Sequence, residues 1–133
     1  MNTNKKWNVG LWILQSLLAA LFLMAGASKV MTPIPDLATQ MSWVNHYSEF
    51  MVRFIGAAEV AGGMGLILPS ALRILPILTP IAAGGLALLM GFAAQYHATH
   101  DEMPLIGVNV VFAGLAILVA WGRFKRAPIS KRA

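Results

Sequence analysis

Long apolar runs separated by brief polar punctuation set the pattern of this chain. From Val9 to Ser28 every residue is apolar or small except Gln15 and Ser16, and roughly 20 residues at 1.5 Å rise each cross a hydrocarbon core about 30 Å thick. Three more such runs follow, so the pattern predicts spans over about 9–28, 53–68, 74–94 and 104–122. Pro69 to Arg73 is short enough to join only an antiparallel helix pair. The connection from Val30 to Val52 is longer. Its Trp43, Tyr47 and Phe50, continued by Phe54, fall at helical spacing with Asn45, His46, Ser48 and Glu49 between them, which predicts an interfacial helix over about 41–51. The fold class expected is all-α: a single membrane domain over 1–133, built as an integral membrane four-helix bundle.

Composition strengthens this reading. The chain is 58% apolar and only 11% charged, against about 45 to 50% and about 25% in an ordinary soluble domain. The net charge of +5 does not point to nucleic acid, because the basic residues gather at the ends, at Lys5, Lys6 and from Arg123 onward, as membrane anchors do. Without cysteine, dithiol exchange and cysteine-ligated metal or haem are excluded, and redox chemistry requires a bound cofactor. The basic start and Ala25-Gly26-Ala27 imitate a signal peptide, but the apolar run is longer than a usual signal core, so a retained span is expected.

Positive loops stay cytoplasmic. Lys5, Lys6, Arg73 and the basic tail fall on one side of the four spans. The other side carries Lys29 and Arg53 offset by Asp36 and Glu49, then a loop with Asp101 and Glu102 and no Lys or Arg. Both termini are therefore expected in the cytoplasm. Small residues in helical register, Ala57, Ala61 and Gly65, then Ala83, Ala87 and Gly91, then Ala116 and Ala120, predict close helix packing in lipid. Pro76 is expected in a first turn, and Pro80 is expected to bend the third span.

Glu59 is the informative residue, since an ionisable group inside a span costs roughly 2.5 to 3.5 kcal/mol and needs a partner. Gly56, Gly62 and Gly63 share its face, so the side chain should meet a neighbouring helix. Glu59 lies about 9 Å and Asn109 about 8 Å from the outer ends of their spans, while Lys29 and His97 close the outer ends of the first and third. Each span thus offers a polar group to one outer layer, either as a ligand-binding set or as helix-bonding and anchoring groups. Lys29 can snorkel outward or reach inward to Glu59. His97, His100, Asp101 and Glu102 form an acceptable metal-ligand set in principle, yet solvated loop residues are the simpler reading, and no metal is assigned. Gln15 is expected to bond a neighbouring helix. No Ser, His and acid constellation suggests a hydrolase.

The end of the first span, Phe22-Leu23-Met24-Ala25-Gly26-Ala27-Ser28-Lys29, and the second-span stretch Phe54-Ile55-Gly56-Ala57-Ala58-Glu59-Val60-Ala61-Gly62-Gly63 resemble the DoxX-like family of small four-helix bacterial membrane proteins. The third span ending at His97 and the fourth with Asn109 and Gly122-Arg123 extend the resemblance over nearly everything from Leu11 to Arg123. It implies a multi-pass protein of the bacterial inner (plasma) membrane, with Lys29, Glu59, His97 and Asn109 as matching positions. Relatives include a small subunit of a thiosulfate:quinone oxidoreductase, a membrane partner of superoxide-defence and thiol-transfer proteins, and proteins tied to quinone or catechol resistance. More distant relatives are cargo receptors or assembly factors without catalysis, so activity does not transfer with the fold. Two expectations follow. The chain is a redox- or quinone-linked subunit, non-catalytic alone, that binds a small apolar molecule between helices at Lys29, Glu59, His97 and Asn109, with quinone as candidate ligand and a redox or stress-response protein as partner. Alternatively it is a membrane scaffold or assembly factor with no ligand chemistry. A homodimer is compatible with either, and a small transporter has little support without a repeat or broken helix.

Overall fold

The computed structural model describes residues 3–133, so the first two positions of the expected domain lie outside the described residues. Helix α1 spans Thr3–Met31 and α2 Ile34–Gln40; a 3-10 turn follows at Ser42–His46. Then come α3 Glu49–Leu72, α4 Leu78–Thr99 and α5 Met103–Trp121, the last running into a π-helical turn at Gly122–Arg126 that is closed by Ala127 N donating to Gly122 O at 2.8 Å. Among the described residues there is no strand. Four helices, α1, α3, α4 and α5, are long and apolar enough to cross a membrane. Large apolar side chains such as Leu17, Met24, Leu88, Phe92 and Val111 stand more than half exposed around them, which suits hydrocarbon and not water.

The four long helices form a ring in the order α1, α3, α4, α5, with α5 returning to α1 through a narrower contact. Its centre holds Leu18, Ala19 and Phe22 of α1, Leu66 of α3, Ala83 and Leu86 of α4, and Ala116 and Val119 of α5. Phe22 and Phe112 meet edge to face at 6.3 Å, the geometry that the ring quadrupole favours.

Small residues do bring the helices together, but not along the stripe expected on α3. Ala57 and Ala61 are exposed. Because α3 lies between two neighbours it presents two small faces: Gly56 and Gly63 meet α1, and Gly62 and Gly65 meet α4. A Cβ on Gly26 would lie 2.6 Å from Gly56 O, and one on Gly56 would lie 2.6 Å from Lys29 Cβ.

The prolines also act differently from their expected roles. Helix α4 starts at Leu78, so Pro76 precedes it and Pro80 falls in its first turn, where a proline breaks no interior bond. It is Pro69 that lies inside a helix: α3 continues through it to Leu72. Proline has no N–H for the carbonyl four residues back, and that carbonyl, Gly65 O, instead accepts from Thr79 Oγ1 at 3.0 Å. Ser70 Oγ donates to Thr79 Oγ1 at 2.7 Å. A side chain of α4 thus replaces the bond that Pro69 removes, as the lack of water in a membrane requires. The α3–α4 turn follows with Arg73 and Leu75 at positive φ, and the C-terminal segment straps it: Arg73 Nε donates to Ser130 O at 2.8 Å and Arg132 N to Arg73 O at 3.0 Å.

Where the aromatic spacing predicts one helix over about 41–51, the chain instead breaks. Tyr47 and Ser48 are extended, and Ser48 caps α3 by accepting from Met51 N at 3.1 Å. An N-cap serine competes with helix continuation by offering its oxygen to the next turn. The connection folds onto α3 through Leu37, Val44 and Val52, all buried.

Candidate functional site

Helices α1 and α3 come close together at Gly26 and Gly56, and this approach assembles the principal polar site. Lys29, in the last turn of α1, extends to Glu59 on α3, with Nζ 2.7 Å from Oε1. Glu59 is 2% exposed, so the carboxylate is withdrawn from any solvent and Lys29 is its direct counter-charge. Arg53, one turn and a half earlier on α3, donates from Nη1 to Lys29 O at 2.9 Å and to Thr32 O at 2.6 Å. It satisfies carbonyls at the end of α1, where positive charge is favourable. Two basic side chains and one acid therefore tie the end of α1 to the first half of α3.

The other two expected residues lie apart from this pair. His97, 7% exposed at the end of α4, faces Glu102 with Nδ1 3.3 Å from Oε1, and Glu102 Oε2 accepts from Ser42 Oγ at 3.2 Å. Asn109 is half-buried on α5 and makes no side-chain hydrogen bond among the described residues. No hydrogen bond or ion pair joins either one to Lys29 or Glu59 among those residues. His46 and His100 belong to an aromatic cluster instead: His100 stacks on Tyr96 at 4.0 Å, and His46 bonds the Tyr96 hydroxyl. Among the described residues no three His, Asp or Glu side chains converge as a metal site.

At the opposite end of the bundle a second buried network forms. Gln15 Nε2 donates to Leu66 O at 2.6 Å, and Gln15 Oε1 accepts from Arg123 Nε at 2.6 Å. Gln15 thus bonds neighbouring helices as expected. Arg123 does not behave as a member of an exposed basic tail: it is 3% exposed. Its pairing to Gln15 across 108 positions leaves no local trace in the sequence. The lone Gln in an apolar run was the only available signal.

On the side of α3 that faces α4 runs an open groove of about 360 Å³. Ala58, Ala61 and Gly62 of α3 line it with Ala82, Gly85, Leu86, Leu88, Leu89 and Phe92 of α4. A second groove lies between α4 and α5, with Gly84, Ala87, Gly91 and Gln95 in its lining. Neither groove is lined by Lys29, Glu59, His97 or Asn109.

A ring of four lipid-length helices joined at one end by a buried Lys–Glu pair and at the other by a buried Arg–Gln network defines a multi-pass membrane bundle. The model of the DoxX-like family matches residues 13–119, and the chain belongs to that family. No match was found among curated proteins or among solved structures.

Proposed function

We propose that this chain is a membrane-embedded subunit, non-catalytic alone, that takes a small apolar molecule from the bilayer into the α3–α4 groove, with a quinone-like ring as the candidate. The observation that carries this reading is the groove itself: five small residues of α3 and α4 leave a lining open enough, at about 360 Å³, for a ring. Ala58 and Gly62 lie one position before and three after Glu59; they turn to the groove while Glu59 turns to α1. The pair fixes α3 against α1 and so holds the α3 wall of the groove in place, without lining it. Electron transfer then belongs to a redox or stress-response partner. The positive-inside pattern sets both termini in the cytoplasm and the Lys29–Glu59 pair toward the outer leaflet of a bacterial inner membrane.

A second reading is favoured by two observations. Lys29 and Glu59 satisfy each other at 2.7 Å, as a purely structural pin would, and Phe50 and Phe54 stack in the open at 6.2 Å, where a partner protein can dock on a scaffold. One experiment separates the two. The protein is purified in mild detergent and extracted with organic solvent, and bound quinones are quantified by mass spectrometry for the wild type and for Ala61→Phe. That substitution fills the groove from an exposed position and should leave thermal stability intact. A stoichiometric quinone in the wild type, lost in Ala61→Phe, supports the ligand reading; no specific small molecule in the wild type leaves the scaffold.

A further inference from the structure

Arg123 is a second buried charge, and no acidic side chain pairs with it among the described residues. Every described partner of its guanidinium is neutral: Gln15 Oε1 at 2.6 Å from Nε, Asn8 Oδ1 at 2.7 Å and Ala127 O at 2.8 Å from Nη1, and the Trp12 ring with its centroid 5.5 Å from Cζ. Nη2 is buried and has no hydrogen-bond partner among the described residues. Burying a cation without a paired anion is costly, and leaving one of its donors unmade adds to the cost.

The distribution of charge sharpens the point. Asp36, Glu49, Asp101 and Glu102 all lie at the far end of the bundle, and Glu59 is taken by Lys29. Every Lys and Arg other than Lys29 and Arg53 lies at the Arg123 end or in the segments that close it. Lys125 and Arg126 follow directly and are exposed. Arg126 stands over the rings of Trp7 at 5.8 Å and Trp121 at 5.1 Å, and Trp rings mark the depth at which hydrocarbon gives way to lipid headgroups. Asn8 and Trp12, which touch the guanidinium, are only half-buried, so Arg123 lies close beneath that surface.

We propose that Arg123 is the floor of a binding site for the phosphate of an anionic phospholipid, with Nη2 as the donor to a phosphate oxygen and Lys125 and Arg126 as the exposed rim. Guanidinium matches phosphate in both charge and geometry, and basic side chains beside span ends attract anionic lipid. The ring-lined headgroup depth selects a lipid over a soluble anion.

The test follows the melting temperature of protein purified in an uncharged detergent and titrated separately with phosphatidylglycerol, phosphatidylcholine and inorganic phosphate. Phosphatidylglycerol is expected to raise Tm saturably, by about 5 °C, with little response to the other two. Asn8→Asp places a carboxylate on the Nη1 partner. It should raise Tm without lipid and remove most of the phosphatidylglycerol response, whereas Arg126→Gln should keep the fold and weaken that response several-fold. An equal response to phosphatidylcholine, the same rise with inorganic phosphate alone, or an undiminished phosphatidylglycerol response in Asn8→Asp would each overturn the proposal.

Discussion

Glu59 was legible from sequence because an acid within an apolar run is costly and glycines at positions 56, 62 and 63 point it at a helix. Lys29 was legible as its partner for the same reason. What the sequence left open was whether Lys29 turns outward or inward, since a flexible stem permits both; the close approach at Gly26 and Gly56, a three-dimensional fact, decides it. Removing one member of such a pair leaves the other as an unpaired buried charge, which costs about 3 to 5 kcal/mol. Glu59→Gln should therefore lower stability by that order, and Lys29→Met in the Glu59→Gln background should recover most of the loss. The check is a double-mutant cycle on thermal unfolding in detergent; additive losses would show that the two side chains do not act as a pair. Arg123 was illegible because its neighbours Lys125 and Arg126 are of the same type, and only the fold separates the buried one from the exposed ones.

At the scale of elements, four spans were readable because their length and apolarity are local properties, whereas the contact faces were not, since α3 has two neighbours and one stripe describes only one line of contact. Glycines that look alike in sequence thus differ in cost of substitution. Gly56→Ala drives a Cβ to 2.6 Å from that of Lys29 and should destabilise by about 1 to 3 kcal/mol through overpacking. Gly84 has nothing within 4 Å, so Gly84→Ala should instead add up to about 1 kcal/mol of helix propensity. Matched melting curves for the two variants test the assignment, and equal effects would contradict it. The continuation of α3 through Pro69 was likewise hidden, because the compensating Thr79 lies on the next helix. Thr79→Val should cost about 1 to 3 kcal/mol by leaving Gly65 O unsatisfied. In a Pro69→Ala background the restored N–H takes that carbonyl, and the same substitution should cost markedly less. Equal costs in both backgrounds would mean that Thr79 does not substitute for the missing bond.

Across the whole molecule the two ends differ in kind. One end has acids, paired basic groups and an aromatic cluster; the other has basic residues without any Asp or Glu. Such asymmetry is what orients a multi-pass chain during insertion, because Lys and Arg near span ends resist translocation while Asp and Glu weigh little. Four helices long and apolar enough to cross would make the number of crossings even and put the two termini on one side, and the loop charges predict the same orientation at every crossing: Arg73 with the termini, Asp101 and Glu102 opposite. A fluorescent protein that matures only in the cytoplasm, fused after Ala133, should glow, and a phosphatase active only outside should be silent there but active when inserted between His100 and Asp101. A silent fluorophore with an active C-terminal phosphatase would reverse the orientation. It would also move the Lys29–Glu59 pair to the inner leaflet and the Arg123 end to the outer one, where anionic phospholipid is scarcer. The topology measurement therefore bears on both proposals at once: the groove and the Lys29–Glu59 pair survive a reversal in geometry, but the choice of partner side does not.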